Sequence, residues 1–341
     1  MKNRTIIIAE AGVNHNGDIN MAKKLIDVAV DAGVDYVKFQ TFKTEKLVSV
    51  NAKKAEYQQK NMAEDSSDSQ FDMLKKLELS VNDHHELINY CKQKNIRFLS
   101  TAFDLESIDL LNTLGIELYK IPSGEITNLP YLQKIGSLKK EVIVSTGMCV
   151  MSEIKDAVAV LVEAGTIKEN ISVLHCTTNY PTPMVDVNLN AMLSIQKQLN
   201  ISVGYSDHTL GIEVPIAAVA MGAKIIEKHF TLDKTLPGPD HKASLEPAEL
   251  IAMVKAIRNI ENALGNFDKE PTPTEMQNML VVRKSIHLNK DCKKGKILQA
   301  DDLIMKRPGD GISPMELKNV IGKKVKSDFP NEYKLQKSDI E

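Results

Sequence analysis

No stretch of this sequence approaches the roughly 18 apolar residues that a membrane-crossing helix needs, so an integral membrane protein is not expected. Charge of one sign is also lacking: 43 lysines and arginines stand against 45 aspartates and glutamates, a formal net charge of -2. Nucleic acids and acidic membranes recruit basic patches or tails, so neither partner is expected. Cysteine is scarce. Cys91, Cys149, Cys176 and Cys292 are scattered without metal-ligand spacing, which reads as reduced thiols. Cys176 lies near the end of an apolar run and is read as structural rather than catalytic. The N-terminal Met1-Lys2-Asn3-Arg4 leads directly into another such run, too short for a signal peptide. The expectation is a globular cytoplasmic enzyme in which the sequon Asn170-Ile171-Ser172 carries no sugar.

What the sequence does have is a rhythm. Eight short apolar runs, at 6–10, 36–40, 98–102, 119–123, 142–146, 173–177, 203–207 and 225–230, each carry a polar residue at the last or next-to-last position. Most are separated by some 20 to 30 residues of helical periodicity. Parallel strands buried on both faces read as continuous apolar runs, and their crossovers are usually helices. Eight such units predict an α/β fold, a (β/α)8 TIM barrel, with its active site at the C-terminal ends of the strands. Glycines at 33, 115, 165 and 222 stop helices predicted over 20–32, 105–114, 151–164 and 214–221, and a further helix is predicted over 83–94. The polar connection 41–80 reads as a long loop lying over the barrel mouth, because irregular segments of that length are usually functional. A last helix over 247–264 completes a barrel domain of residues 1–265, followed by a polar linker over 266–282. Residues 283–341 have the texture of a compact strand-and-turn domain, small enough to be marginal alone.

The polar strand ends are the candidate chemistry. His208 follows the seventh run and His229 lies on the eighth. Neighbouring strand ends bring two imidazoles within reach of one ion, and two-residue alternation turns Glu227 and His229 to one face. Neutral imidazoles with open positions suit Mn2+, Mg2+, Co2+ or Zn2+, and the ligand set alone does not choose. Spacing leaves this metal site and a pair of hydrogen-bonded rim histidines as equal alternatives. Lys38, Lys120, Thr101, Ser123, Ser145 and Ser206 form a ring of donors suited to phosphate. A solvated surface amine explains one strand-end lysine, but poorly explains two flanked by four hydroxyls. Either lysine could instead form the Schiff base of a barrel aldolase. Glu10 and Glu125 offer carboxylates for acid–base work, although a single rim glutamate is more often structural.

Longer motifs narrow the reading. Ile8-Ala9-Glu10-Ala11-Gly12-Val13-Asn14-His15-Asn16-Gly17, Val37-Lys38-Phe39-Gln40-Thr41, Lys120-Ile121-Pro122-Ser123-Gly124-Glu125 and Ser145-Thr146-Gly147-Met148 occur in that order. Tyr180-Pro181-Thr182-Pro183, Gly204-Tyr205-Ser206-Asp207-His208-Thr209, Glu227-Lys228-His229-Phe230-Thr231 and Gly238-Pro239-Asp240-His241 follow. Together they resemble the bacterial sialic acid synthase family, which condenses phosphoenolpyruvate with an N-acylated amino sugar. The resemblance covers nearly the whole chain. The tail from Arg283, with Lys306-Arg307-Pro308-Gly309 and Gly311-Ile312-Ser313, resembles the antifreeze-like (SAF) domain that these synthases carry.

The resemblance implies roles position by position. His208 and His229 would be the only protein ligands of a divalent ion, usually manganese or magnesium. Lys38, Thr101, Lys120, Ser123, Ser145 and Ser206 would hold phosphoenolpyruvate. Glu10, Gln40, Asn61, Tyr180, Glu227 and Asp240 would line the sugar site, with Glu125 as the acid–base residue. Arg307 would reach the N-acyl group from the partner subunit of a domain-swapped homodimer. Where the family often has Asn two residues before the Tyr of Tyr-Pro-Thr-Pro, this chain has Thr178, with Asn179 beside it. Which of the two faces phosphate stays open. The implied chemistry is attack of phosphoenolpyruvate carbon 3 on a polarised sugar aldehyde, addition of water at carbon 2, and loss of phosphate by C–O cleavage.

N-acetylmannosamine as acceptor gives N-acetylneuraminate; 2,4-diacetamido-6-deoxymannose gives N,N'-diacetyllegionaminate. The motifs fit both, and N-acetylneuraminate synthesis, the commoner family reaction, is the first expectation. A class I aldolase built on Lys38 or Lys120 and a non-enzymatic sugar- or ice-binding protein built on the tail are the rivals. A binder needs neither the imidazole pair nor the phosphate shell, which argues against the second.

Overall fold

The computed structural model describes residues 4–61 and 69–341. Strands β1 (Ile6–Gly12), β2 (Tyr36–Thr41), β3 (Arg97–Ala102), β4 (Leu118–Ile121), β5 (Glu141–Ser145), β6 (Ile171–His175), β7 (Ser202–Asp207) and β8 (Ile225–His229) close, in chain order, into a parallel barrel. β8 returns to β1 with Ile8 opposite Glu227 and Glu10 opposite His229. The expected TIM barrel is therefore present.

Alternation along each strand builds both the floor and the site. Ile8, Leu99, Leu118, Ile143, Leu174 and Ile225 pack together as a buried layer inside the barrel. Two residues further along the same inward-facing series stand Glu10, Thr101, Lys120, Ser145, Cys176 and Glu227, all buried. A strand side chain repeats its direction every second residue. The switch from apolar to polar at one level thus marks where the packed core stops and the binding cavity starts. The intervening residues, such as Ile7, Ala9, Val37, Phe39, Val142 and Val144, face outward into the larger core shared with the surrounding helices.

Those helices are α1 (Ile19–Ala32), α2 (Thr44–Leu47), α3 (Glu56–Asn61), α4 (Gln70–Leu77), α5 (Val81–Gln93), α6 (Leu105–Thr113), α7 (Leu129–Ser137), α8 (Met151–Ala164), α9 (Asn190–Leu199), α10 (Glu213–Ala220) and α11 (Pro247–Ala263). The connection 41–80 departs from expectation. Its described residues carry α2, α3 and α4, and Ser69 caps α4 by accepting from the Asp72 amide. Met73, Leu74 and Leu77 of α4 bury one face against Val13 and Phe42, which gives this excursion a small core of its own.

Contacts divide the chain into two compact units, Met1–Gly265 and Asn266–Glu341. The stretch read as a linker contains a helix, α12 (Pro273–Val282), whose start is fixed by a capping box between Thr272 and Glu275. Its prolines mark a helix beginning, since Pro is tolerated at the first helical positions where no amide partner exists. The second unit pairs β9 (Ser285–Leu288) antiparallel with β10 (Leu303–Lys306) around Ile286, Leu288, Leu298, Val325 and Leu335.

Candidate active site

A cavity of about 490 Å³ opens at the C-terminal ends of the barrel strands. Its charged floor holds two lysines and two glutamates, all at most 6 % exposed in their side chains. Lys38 Nζ lies 2.7 Å from Glu10 and 3.6 Å from Glu227, and donates to Thr101 Oγ1 at 3.0 Å. Lys120 Nζ donates to both carboxylate oxygens of Glu227, at 2.8 and 3.0 Å, and Ser206 Oγ donates to the same group at 3.1 Å. Burial pushes the Glu227 carboxyl up, but Lys120 and Lys38 outweigh it and hold its pKa at about 2. Glu10 behaves differently. Burial raises its pKa to about 7 against the pull of Lys38, with the Glu227 charge adding to the rise. Burial would lower the Lys38 ammonium, but Glu10 and Glu227 reverse that and raise it. Lys120 is lowered by burial, with Glu227 opposing. Of the two carboxyls in this quartet, Glu10 is the one that burial brings toward neutrality.

Hydroxyls complete the floor. Ser145 Oγ is buried without a hydrogen-bond partner. Ser123 Oγ accepts from the Gly147 amide at 2.8 Å and lies 3.3 Å from Cys176 Sγ. Thr178 lines the same cavity, whereas Asn179 is exposed. The strand β1 is irregular between Glu10 and Gly12. Gly12 takes φ +52, and a Cβ there would stand 3.3 Å from Glu10 Oε1 and His229 Cε1 and 3.4 Å from Gln40 Nε2. This irregularity follows Glu10, which alternation already points inward, and the glycine keeps room for three polar side chains, as bulges near active sites do.

The two imidazoles meet beside this floor, with ring centroids 5.6 Å apart. The Tyr180 ring lies 4.0 Å from that of His208 and 5.8 Å from that of His229. His208 Nδ1 is 2.6 Å from the Thr177 carbonyl oxygen, so Nδ1 carries the proton and Nε2 keeps its lone pair. Burial lowers His208 to about 4, and burial together with His208 and Lys38 pushes His229 well below the usual histidine range. Both rings are neutral. Asp240, pushed up to about 6 by burial, has its carboxylate 4.0 Å from His229 Nδ1. The loop that carries Asp240 is pinned by side-chain amides. Asn16 donates to the Pro237 carbonyl at 2.9 Å and Asn61 to the Pro239 carbonyl at 2.7 Å.

The chain is similar to known proteins over nearly all its length. The NeuB family matches residues 25–269 and the SAF domain matches residues 283–341. The chain belongs to the NeuB family. It is 55% identical over 320 residues to the N,N'-diacetyllegionaminic acid synthase of Campylobacter jejuni, covering 94% of this chain and 95% of that one. With the protein of the same name from Legionella pneumophila it shares 49% identity over 94% of this chain and 90% of that one. Among solved structures, the N-acetylneuraminic acid synthetase of Leptospira borgpetersenii superposes with a TM-score of 0.70 at 34% identity, covering 82% of this chain and 91% of that chain.

Most residues singled out for this NeuB-family chain converge on the one cavity: Glu10, Lys38, Gln40, Thr101, Lys120, Ser123, Ser145, Tyr180, Ser206, His208, Glu227, His229 and Asp240 all line it. Three stand elsewhere. Glu125 lies beyond β4, accepts from Asn128 Nδ2 at 2.6 Å, and is not among the lining residues; burial raises its pKa. Asn61 uses its amide on the Asp240 loop rather than on the cavity. Arg307 is an exposed residue of the second unit. For a divalent ion the fit is direct: His208 offers a free Nε2, and the buried His229 Nδ1 has no hydrogen-bond partner. Among the described residues no cluster of three or more His, Cys, Asp or Glu could hold a metal, so an ion here would complete its shell with water or substrate.

One positioning pair escapes sequence reasoning. Lys228 points to the outer face of β8, where its ammonium binds the Asp207 carboxylate and donates to the Thr209 carbonyl at 2.7 Å. The two partners flank His208 in sequence. A buried cation thus fixes both sides of the turn that presents one imidazole.

The excursion over the rim is held by a second charged knot. Glu78, just past α4, accepts from Lys43 Nζ at 2.8 Å, Lys75 Nζ at 3.1 Å and Thr44 Oγ1 at 3.1 Å, which ties the end of α4 to the start of α2. Burial raises its pKa, but these bonds outweigh it and hold it at about 2, against an ordinary 4.5. A depressed carboxylate stabilises the fold fully above its unfolded value and loses that contribution as pH falls through the folded one. Cleavage of the 41–80 segment by an acid protease should therefore increase as pH drops from about 5 to about 3. Glu78→Gln should show the higher susceptibility already at the upper pH; identical pH profiles for both proteins would remove Glu78 from this role.

Proposed function

We propose that the protein condenses phosphoenolpyruvate with 2,4-diacetamido-6-deoxymannose to give N,N'-diacetyllegionaminate and phosphate, in a reaction dependent on a divalent metal ion. The carrying observation is a buried anion cradle of Lys38, Lys120 and the unpartnered Ser145 hydroxyl beside two neutral imidazoles. N-acetylneuraminate, the first expectation from the motifs, is replaced as product. The two relatives with 55% and 49% identity are both named for diacetyllegionaminic acid, and this favours the alternative acceptor. The reading includes a cytoplasmic location and a homodimer in which Arg307 serves the partner subunit's acceptor.

Charge carries the mechanism. A trianionic substrate is attracted to two ammonium groups in a site of low dielectric, and fixed donors orient it without reorganisation at the moment of reaction. Glu10 and Glu227 neutralise those lysines until substrate arrives. An anion that takes the place of Glu10 at Lys38 raises the Glu10 pKa further, so the carboxylate takes up a proton. That proton is then placed to reach the sugar oxygen, which becomes an alkoxide as the carbon–carbon bond forms. Glu227 stays ionised and keeps Lys120 and Ser206 aligned. His208 and His229 would hold the divalent ion, which when bound polarises the aldehyde oxygen as a Lewis acid. An imine-forming aldolase needs a free neutral amine. Lys38 is held protonated by two carboxylates and Lys120 is bonded to both oxygens of Glu227, which favours the cradle.

Phosphate release measured with the two acceptors tests the proposal. The expected result is a kcat/KM at least about tenfold higher for 2,4-diacetamido-6-deoxymannose than for N-acetylmannosamine, abolished by a chelator and restored by Mn2+. Turnover of N-acetylmannosamine alone would overturn the acceptor, and phosphate release indifferent to chelation would overturn the metal.

A further inference from the structure

The cavity is chemically two-sided. Its floor and its β7–β8 side carry the lysines, hydroxyls and imidazoles, whereas the excursion between β2 and β3 contributes Leu47 and Val48 near α2 and Met73, Leu74 and Leu77 of α4, joined by Phe103 just past β3. These side chains are mutually packed, and together they present a surface without a hydrogen-bonding group. In an eight-stranded barrel β3 stands across the axis from β7, so Phe103 faces the side that presents His208. Among the described residues, the polar lining of the excursion is Gln58 and Gln70, and the Gln58 carboxamide oxygen already accepts from the Ala55 amide at 2.9 Å.

We infer that this apolar wall selects the acceptor by its far end: it seats the C6 methyl group of a 6-deoxy sugar whose aldehyde lies at the imidazole side. The inference rests on the proposed function and assigns its acceptor selectivity to Leu47 and Val48 in particular, which are half-buried and open to the cavity. A methyl group on this wall leaves water at no polar loss. A hydroxymethyl group seated on Leu47 and Val48 brings a donor and an acceptor to side chains that can satisfy neither, which costs affinity. Discrimination of this kind is moderate, because an apolar pocket rejects an added hydroxyl by about a hundredfold at most. The selectivity is thus separate from the anion cradle, whose residues all lie on the strand ends or just beyond them.

The test compares N-acetylmannosamine with its 6-deoxy analogue, which differ only at carbon 6, in the wild type and in Leu47→Asn, Val48→Thr and the double variant. Val48→Thr is close to isosteric, and a ratio of kcat/KM values for two acceptors on one preparation is insensitive to the fraction folded. The wild type should prefer the 6-deoxy sugar by about tenfold or more, mostly through KM. The double variant should reduce that ratio by about tenfold, with the KM for phosphoenolpyruvate unchanged. A wild-type preference for the 6-deoxy sugar that survives in all three variants overturns the wall and leaves the proposed function standing. A wild type that prefers the 6-hydroxy sugar overturns both.

Discussion

Alanine at His208 or His229 should lower kcat/KM by about a thousandfold, the effect of removing several kcal/mol of Lewis-acid stabilisation from a carbonyl addition. The fold should barely notice. His208 gives up one hydrogen bond, to the Thr177 carbonyl, and the His229 Nδ1 atom has no partner to lose. Thermal melting without metal should therefore stay near that of the wild type, while Mn2+ stabilises the wild type alone. Calorimetric titration with Mn2+ supplies the readout independent of turnover. Full Mn2+ affinity in both alanine variants would dismantle the assignment of the imidazole pair.

Lys120→Met should be damaging in two separable ways. Glu227 would lose a partner bonded to both its oxygens at a site where neither side chain is more than 6 % exposed. Leaving a buried charge with its ion pair broken costs about 3–5 kcal/mol, so melting should fall by several degrees even though Lys38 stands 3.6 Å from the same carboxylate. Activity should fall by a further factor of about a hundred to a thousand, as when one fixed donor to a developing anion is removed. The Lys120→Met/Glu227→Gln double variant separates the two effects. Removing the second charge should return much of the lost stability and none of the activity. A double variant that recovers turnover would mean that Lys120 only balances Glu227 and does not hold substrate.

The barrel was legible because its strands are buried on both faces, so that each run is apolar until the inward-facing series turns polar at Glu10, Thr101, Lys120, Ser145 and Glu227. That switch also exposed most of the cavity. Glycine stops found several helices, but α7 and α9 are followed by Lys139 at φ 57 and Asn200 at φ 49, and a search for glycine passes over them. The excursion read as loop because α2 has four residues and α3 six, too few for a helical period to show. The family resemblance set Asn61 at the acceptor, while the fold uses its amide on the Pro239 carbonyl. The Lys228–Asp207 pair joins residues 21 apart on the outward faces of two strands. Alternation says that both point away from the cavity but does not say that they meet.

Because α2, α3 and α4 are closed at their base by Glu78 with Lys43 and Thr44, most of the proposed apolar wall belongs to one segment of chain that contributes nothing to the anion cradle. On that proposal, a transplant of residues 42–80 between two family members should carry the choice of building block and leave the carbon–carbon chemistry where it was.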